Sequence, residues 1–214
     1  MSRIKVLLKN IISMPYRMLF TKISVFAGLQ NSKVDKNAAI CRGTRFYRSD
    51  IGKYSYVGNN TFITNTHIGK YTSISGDCYI GGTSHPINWV STSSVFHKWS
   101  NILHKNFSQF EYEIFQETYV WNDVWIGEGC KVKAGIRIDN GAILGMGSVL
   151  TKDVGPYEIW AGNPARFIRK RFDDKTIEKL VESEWWEWED TKIKEYAKYF
   201  NDPDQFIKVI NNER

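Results

Sequence analysis

Cysteine is scarce and odd in number: Cys41, Cys78 and Cys130 are the three thiols in 214 residues. So sparse a set builds no disulfide framework, and free thiols in a reducing compartment are expected. No apolar run approaches the roughly 20 residues that a spanning helix requires. The N-terminal stretch RIKVLLKNIISMPYRMLF has a short apolar segment, but Lys9 interrupts it. No clean small-residue cleavage site follows, so it is not read as a signal peptide. The basic residues sit at the chain ends and are not interleaved with aromatics on a regular face, which excludes a nucleic-acid-binding surface.

What is present suits one domain with appendages. Apolar residues make up 42% of the chain and aromatics 14%, ample for a core. The formal net charge is +6 and the pI about 9.1. A modest basic excess fits an anionic small ligand or a membrane surface, and charge alone does not choose.

The dominant pattern is a beat of six. Aliphatic or large apolar residues fall at Val34, Ile40, Phe46, Ile51, Val57, Ile63, Ile68, Ile74 and Ile80, with two steps of five among the sixes. The beat breaks and then resumes at Val120, Ile126, Val132, Ile138, Leu144 and Leu150. Neither a helix nor an alternating strand has that period. Glycine often follows the aliphatic residue, as at Gly52, Gly58, Gly69, Gly81, Gly127 and Gly145. Four residues after the aliphatic stands a small or β-branched residue, among them Thr44, Ser55, Thr61, Thr72, Ala142 and Ser148. Cys78 and Cys130 take this same position, so they are expected as small core fillers. The pattern predicts a solenoid of three short strands per coil. Its corners are tight turns that Gly, Asn and Asp enter cheaply.

The flanks differ. Residues 1–30 read as an N-terminal amphipathic helical segment, with Ile4, Leu7, Leu8, Ile11 and Ile12 at helical spacing and Pro15 limiting the first helix. Two roles stay open for it: an end cap for the solenoid, or contact with a membrane surface through residues 1–20. Residues 31–165 hold the repeat, and residues 166–214 read as a helical tail. There Ile177, Leu180, Val181 and Trp185 form a stripe that Asp173 or Asp174 caps. Trp185, Trp186 and Trp188 are expected to pack rather than to bind a cofactor.

Residues 82–118 interrupt the repeat and begin GGTSHPINWVSTSSVFHKW. A long excursion from a rigid scaffold is usually a functional or binding loop. An imidazole titrates near the working pH, and His85 stands where the repeat breaks. After the second run comes ILGMGSVLTKDV, followed by AGNPARFIRKR.

These motifs together resemble the hexapeptide-repeat acyltransferases. The stretch around His85, with Trp89, Val90, Ser91 and Thr92, resembles the streptogramin and chloramphenicol (xenobiotic) acetyltransferase branch. The resemblance implies a mainly β fold, a left-handed parallel β-helix with an inserted loop, a short N-terminal helical segment and a helical tail. Its handedness comes from the resemblance alone, since parallel crossovers are ordinarily right-handed. It implies transfer of an acetyl group from acetyl-CoA to a hydroxyl, with His85 as the general base. It places Glu128 and Met146 against CoA through their backbone, and Thr151, Lys152, Arg166 and Arg169 near the nucleotide and its phosphates. Lys and Arg suit those phosphates. It also implies a homotrimer with active sites between subunits.

The acceptor expected is a sugar hydroxyl of a bacterial surface polysaccharide or its precursor, favoured by the basic N-terminus. An antibiotic hydroxyl is the alternative, and a non-catalytic β-helix scaffold the reading of another class. Trp89 and Trp99 either face a sugar ring or pack the loop. Location in the cytoplasm, with residues 1–20 placed to meet the inner membrane face, follows from the same features. The γ-type carbonic anhydrases bind zinc on a left-handed β-helix through three histidines. Here His67 and His85 are 18 residues apart. His97 and His104 lie at no matching spacing, so no metal is expected.

Overall fold

The fold is seen in a computed structural model that describes residues 22–99 and 101–212. Most of the expected N-terminal amphipathic helix, including the segment expected against a membrane, lies outside the described residues. The hexads form a three-sided parallel solenoid. Its first face stacks Gly28–Gln30, Arg45–Tyr47, Phe62–Thr64, Tyr79–Gly81, Lys131–Val132 and Val149–Leu150. The second stacks Lys33–Val34, Asp50–Ile51, Thr66–Ile68, Thr118–Val120 and Arg137–Ile138. The third stacks Ala39–Ile40, Tyr56–Val57, Ser73–Ile74, Trp125–Ile126, Ile143–Leu144 and Glu158–Gly162.

The residues that set the beat fill the prism. From Ile40 to Leu150 all fourteen are at most 3% exposed, and Val34 is half-buried. Full burial of such a side chain is worth about 1.5–3 kcal/mol, so this column carries the solenoid. The small residue four places on binds the next coil. Thr44 Oγ1 donates to the Gly58 carbonyl at 2.7 Å, Ser55 Oγ to that of Gly69 at 2.7 Å, and Thr72 Oγ1 to that of Trp121 at 2.6 Å. The Ser55 hydroxyl in turn accepts from Thr72 N–H at 2.9 Å. Cys78 and Cys130 make the equivalent contacts, Sγ to the carbonyls of Gly127 and Gly145 at 3.3 and 3.1 Å. They are core fillers, and burial pushes the Cys78 thiol up to about 11.

The glycine after the aliphatic residue is required for a reason other than turn formation. A Cβ on Gly58 would stand 2.5 Å from Gly76 N, and one on Gly127 2.5 Å from Met146 N. The coils approach too closely there for any side chain. The left-handed turn residues lie two places further on, at Asn60, Asp77 and Asp123 in some coils and Gly129 and Gly147 in others.

Coil length changes along the axis. Before the insertion, equivalent residues are 17 apart, as in the Ser55–Thr72 bond; after it they are 18 apart, as between Asn122 and Asn140. The shorter coils turn from the first face to the second through Asn31, Arg48 and Asn65, all at positive φ. His67 and His85 are therefore not one coil apart in register.

Two boundaries move. Ile23 bridges to Ile40, and Gly28–Gln30 pairs with Arg45–Tyr47, so the solenoid starts before residue 31. Ile23, Leu29 and Val34 continue the beat of six and five. At the other end, residues 166–170 are not helical: Ala165–Lys170 returns antiparallel along Glu158–Gly162. Gly162 at φ +101° and Pro164 make the turn between them.

Three helices follow: α1 (Asp174–Ser183), α2 (Asp190–Tyr196) and α3 (Pro203–Asn211). Asp173 caps α1 by accepting from Thr176 N–H at 2.8 Å. Ile177, Leu180, Trp185, Trp186, Tyr196 and Phe206 bury around Tyr157 in a second core. This unit lies along the corner between the second and third faces. Lys53 and Tyr54 bond Asp190, Lys70 pairs with Glu187, Tyr71 packs on Trp185, and Arg171 pairs with Asp123. The tryptophans are packing residues, as expected.

Gly127→Ala is expected to lower stability by about 1–3 kcal/mol, the usual cost of overpacking. Chemical denaturation reads it, and an unchanged midpoint would contradict the close approach. In the native protein a thiol reagent at pH 8 is expected to titrate the half-buried Cys41 quickly and Cys78 and Cys130 only after unfolding.

Candidate functional site

The insertion leaves the first face after Tyr79–Gly81 and rejoins the second at Thr118–Val120. It therefore stands on the corner between those faces. Its two stems are tied: Ser84 N–H donates to the Ile114 carbonyl at 2.9 Å, and Tyr112 hydroxyl meets Ser84 Oγ at 3.2 Å. Arg48 lies 3.9 Å over the Phe115 ring, anchoring the loop to a neighbouring coil.

His85 is exposed on the first stem, and its Nδ1 is 2.8 Å from the Thr92 carbonyl. A carbonyl only accepts, so Nδ1 carries a proton, and in the neutral ring the lone pair is on Nε2. The Trp89–Thr92 segment thus sets the tautomer of the histidine that precedes it. Ser91 Oγ accepts from Ser93 N–H at 3.1 Å, and Ser93 caps a short 3₁₀ turn, Ser94–Phe96.

Trp89 is the centre of the loop. It packs edge-on against His97, Phe110 and Tyr112, with centroids 5.6–5.8 Å away. It also lines a cavity of about 590 Å³ with Asn88, Val90, Ser91, Phe96, Phe110 and Glu111. Most of that lining is apolar. Trp99 is more than half exposed and does not line the cavity. His97, which the sequence gave no role, is buried behind His85 with ring centroids 6.0 Å apart. Only the folded loop reveals this, because the twelve-residue separation follows no period.

The other expected residues fall at the C-terminal end of the solenoid, in three places. Glu128 and Met146 are exposed at the corner between the third and first faces, on successive coils. Gly147 N–H donates to the Glu128 carbonyl at 2.7 Å there. At Gly129 and Gly147 an added Cβ would meet nothing within 4 Å, so this corner is open. Thr151 and Lys152 are exposed just after Val149–Leu150, on the corner that carries the insertion. Two strand spacings, about 10 Å, separate that level from Gly81. Arg166 and Arg169 stand exposed on the terminal hairpin, where their guanidinium groups donate to the Ala165 and Lys170 carbonyls. Within one chain, the first face separates His85 from Glu128 and Met146.

His67 lies elsewhere, on the second face. Its Nδ1 is 2.5 Å from Asp50 Oδ1, and its ring stacks on Tyr119. The Tyr119 hydroxyl, and then His67, hold Glu117 below the usual carboxylate range. Among the described residues no group of three or more His, Cys, Asp or Glu is placed to hold a metal ion. No helix among them is long and apolar enough to cross a membrane.

Known proteins share this architecture. A chloramphenicol acetyltransferase from Klebsiella aerogenes is 43% identical over 125 residues, 56% of this chain and 58% of that protein. One from Agrobacterium fabrum is 40% identical over 127 residues, with the same shares. A probable macrolide acetyltransferase from Lysinibacillus sphaericus is 46% identical over 77 residues, 36% of this chain and 43% of that protein. The match thus spans little more than half the length of the chloramphenicol acetyltransferases and less than half that of the macrolide one. No protein-family model matches it. Among solved structures, the N-acyltransferase AntD from Bacillus cereus, with dTDP and 3-hydroxybutyryl-CoA, superposes at a TM-score of 0.59 and 18% identity. That match covers 84% of this chain and 87% of AntD. The chain thus folds as a left-handed parallel β-helix, and over the matched stretch it is similar to chloramphenicol and macrolide acetyltransferases.

Proposed function

We propose that the protein is an acetyl-CoA-dependent O-acetyltransferase in which His85 is the general base. The observation that carries this reading is the Nδ1–Thr92 bond, which in the neutral ring puts the lone pair on Nε2 of the exposed His85, four residues before the cavity-lining Trp89. An alcohol is a poor nucleophile at neutral pH. Nε2 takes its proton as the hydroxyl oxygen attacks the thioester carbonyl. The tetrahedral intermediate collapses, the carbon–sulfur bond breaks, and the imidazolium returns the proton to the CoA sulfur. The products are an acetate ester and free CoA, and no acyl-enzyme forms. What the fold contributes is alignment of hydroxyl, base and thioester.

The residues expected at CoA fit its chemistry. The open corner at Glu128 and Met146 offers backbone groups to the amides of a pantetheine arm. Lys152, Arg166 and Arg169 have no carboxylate partner among the described residues, which leaves their charge for phosphates. Thr151 adds a hydroxyl beside Lys152. The separation of Glu128 and Met146 from His85 within one chain supports a homotrimer. In it, the loop of one subunit faces the CoA corner of the next.

The cavity favours an acceptor with a hydroxyl on a largely apolar, drug-sized body, and the chloramphenicol and macrolide acetyltransferase relatives favour the same class. The polysaccharide acceptor drew its support from residues 1–20, outside the described residues. The Trp89 ring on the cavity wall is the feature that keeps a sugar as the second reading.

The test follows CoA thiol release from acetyl-CoA with chloramphenicol, a macrolide, a streptogramin and a panel of saccharides. Acceptor-dependent release is expected, and His85→Ala is expected to lower kcat by about 10²–10⁴-fold. Release that persists in that variant would remove His85 as base; no release with measurable CoA binding would place the acceptor outside these classes. Replacing Lys152 and Arg166 together by Ala is expected to raise the KM for acetyl-CoA about tenfold or more with kcat little changed. The same variant is expected to lose much of that difference when 3′-dephospho-acetyl-CoA is the donor.

A further inference from the structure

His97 holds a polar ring in the interior with nothing bonded to it. The residue is 1% exposed, and neither Nδ1 nor Nε2 has a hydrogen-bond partner. A neutral imidazole carries one donor and one acceptor, and leaving both unpaired costs stability. A phenylalanine would fill the same hole without that cost.

The main chain around it is firmly placed. His97 N–H donates to the Ser94 carbonyl at 3.2 Å, its own carbonyl accepts from Asn106 Nδ2, and it bridges to Phe110. The ring is enclosed by Trp89 edge-on at 5.6 Å, Tyr112 at 5.4 Å and His85 at 6.0 Å. Tyr112 turns its hydroxyl away, to Ser84. The titratable groups around His97 are thus His85 and Tyr112. The adjacent Lys98, and Glu111 next to the bridging Phe110, pair with each other at 2.6 Å.

General-base catalysis at His85 creates a cation. Water solvates it in the free enzyme, but an acceptor and a thioester in the cleft displace that water. A neutral ring within about 6 Å, with an unengaged lone pair and a π face, favours the protonated neighbour. We propose that His97 is a positioning residue acting through His85: a buried, neutral imidazole that backs the His85 ring and stabilises its protonated form during proton transfer. This rests on the reading of His85 as the base. It also explains why a polar ring stands where an apolar one would pack without loss, since function and stability are in conflict at this position.

The test compares full-length wild type with His97→Phe and His97→Asn, in protein carrying isotope-labelled histidine. The His85 ring signal is assigned by its loss in His85→Ala and titrated by NMR. His97→Phe is expected to melt at or above the wild-type temperature. It is also expected to lower the His85 midpoint by about half a pH unit or more. With an active acceptor, kcat falls about tenfold while the KM for acetyl-CoA holds, and the acid limb of the rate profile moves to lower pH. His97→Asn, which keeps an acceptor atom, is expected to recover part of the midpoint. A His97→Phe variant with the wild-type His85 midpoint overturns the proposal. So does one that melts earlier while His97→Asn leaves the midpoint unmoved. The NMR arm needs no acceptor, so failure of the transferase reading, seen as wild type and His85→Ala releasing thiol alike, is distinguished from failure at His97.

Discussion

A strand of two residues cannot hold itself in place, and most strands in this protein are two or three residues long. What makes them persist is parallel stacking at a single strand spacing, in which each coil supplies the backbone partners of the coil above. That spacing dictates the rest. It forces glycine where Gly58 and Gly127 meet the next coil, because 2.5 Å leaves no room for a methyl. It selects a small hydroxyl or thiol four places after each aliphatic residue, where Ser55 or Cys78 both fills the corner and bonds the neighbouring coil. It also keeps the corners rigid enough to carry the long loop between Gly81 and Thr118 and an open edge at Glu128 and Met146 on a small frame.

This constraint is why the core was legible in the sequence. A column of aliphatic residues repeating every six positions has no other simple explanation, and each of those residues from Ile40 onward is buried. The errors came where the rule relaxes. Leu29 and Ile23 keep the beat, but a basic flank masked them, and the solenoid starts earlier than composition suggested. Arg166 to Lys170 reads as the start of a charged tail, yet it is a strand, because a hairpin edge exposed to solvent tolerates charge. The glycines were visible, but sequence could not tell a turn from a close approach, since both ask for the same missing side chain.

At the candidate site, sequence singled out residues but not their arrangement. His85 stood out because it follows the break in the repeat, and the fold adds the Thr92 carbonyl that fixes its tautomer. The residues expected at CoA divide among two corners and a hairpin, an arrangement that only the coordinates show. His97 was invisible as anything but one histidine of four. Its burial arises from loop packing around Trp89, which obeys no period, so no reading of spacing could have found it.

The C-terminal helices run along one corner and touch several coils in succession, at Lys53 and Tyr54, at Lys70 and Tyr71, at Asp123 and finally beside Tyr157. A bare solenoid couples only neighbours and can fray one coil at a time from either end. Side-chain contacts spread along the axis remove that freedom: losing one coil costs the strap its seat on the others. The aromatic core beneath the strap, more than the exposed ion pairs, supplies the coupling. The helical tail therefore converts a linear stack into a body that melts cooperatively, and it does so from the corner opposite the first face, away from both His85 and the open edge at Met146.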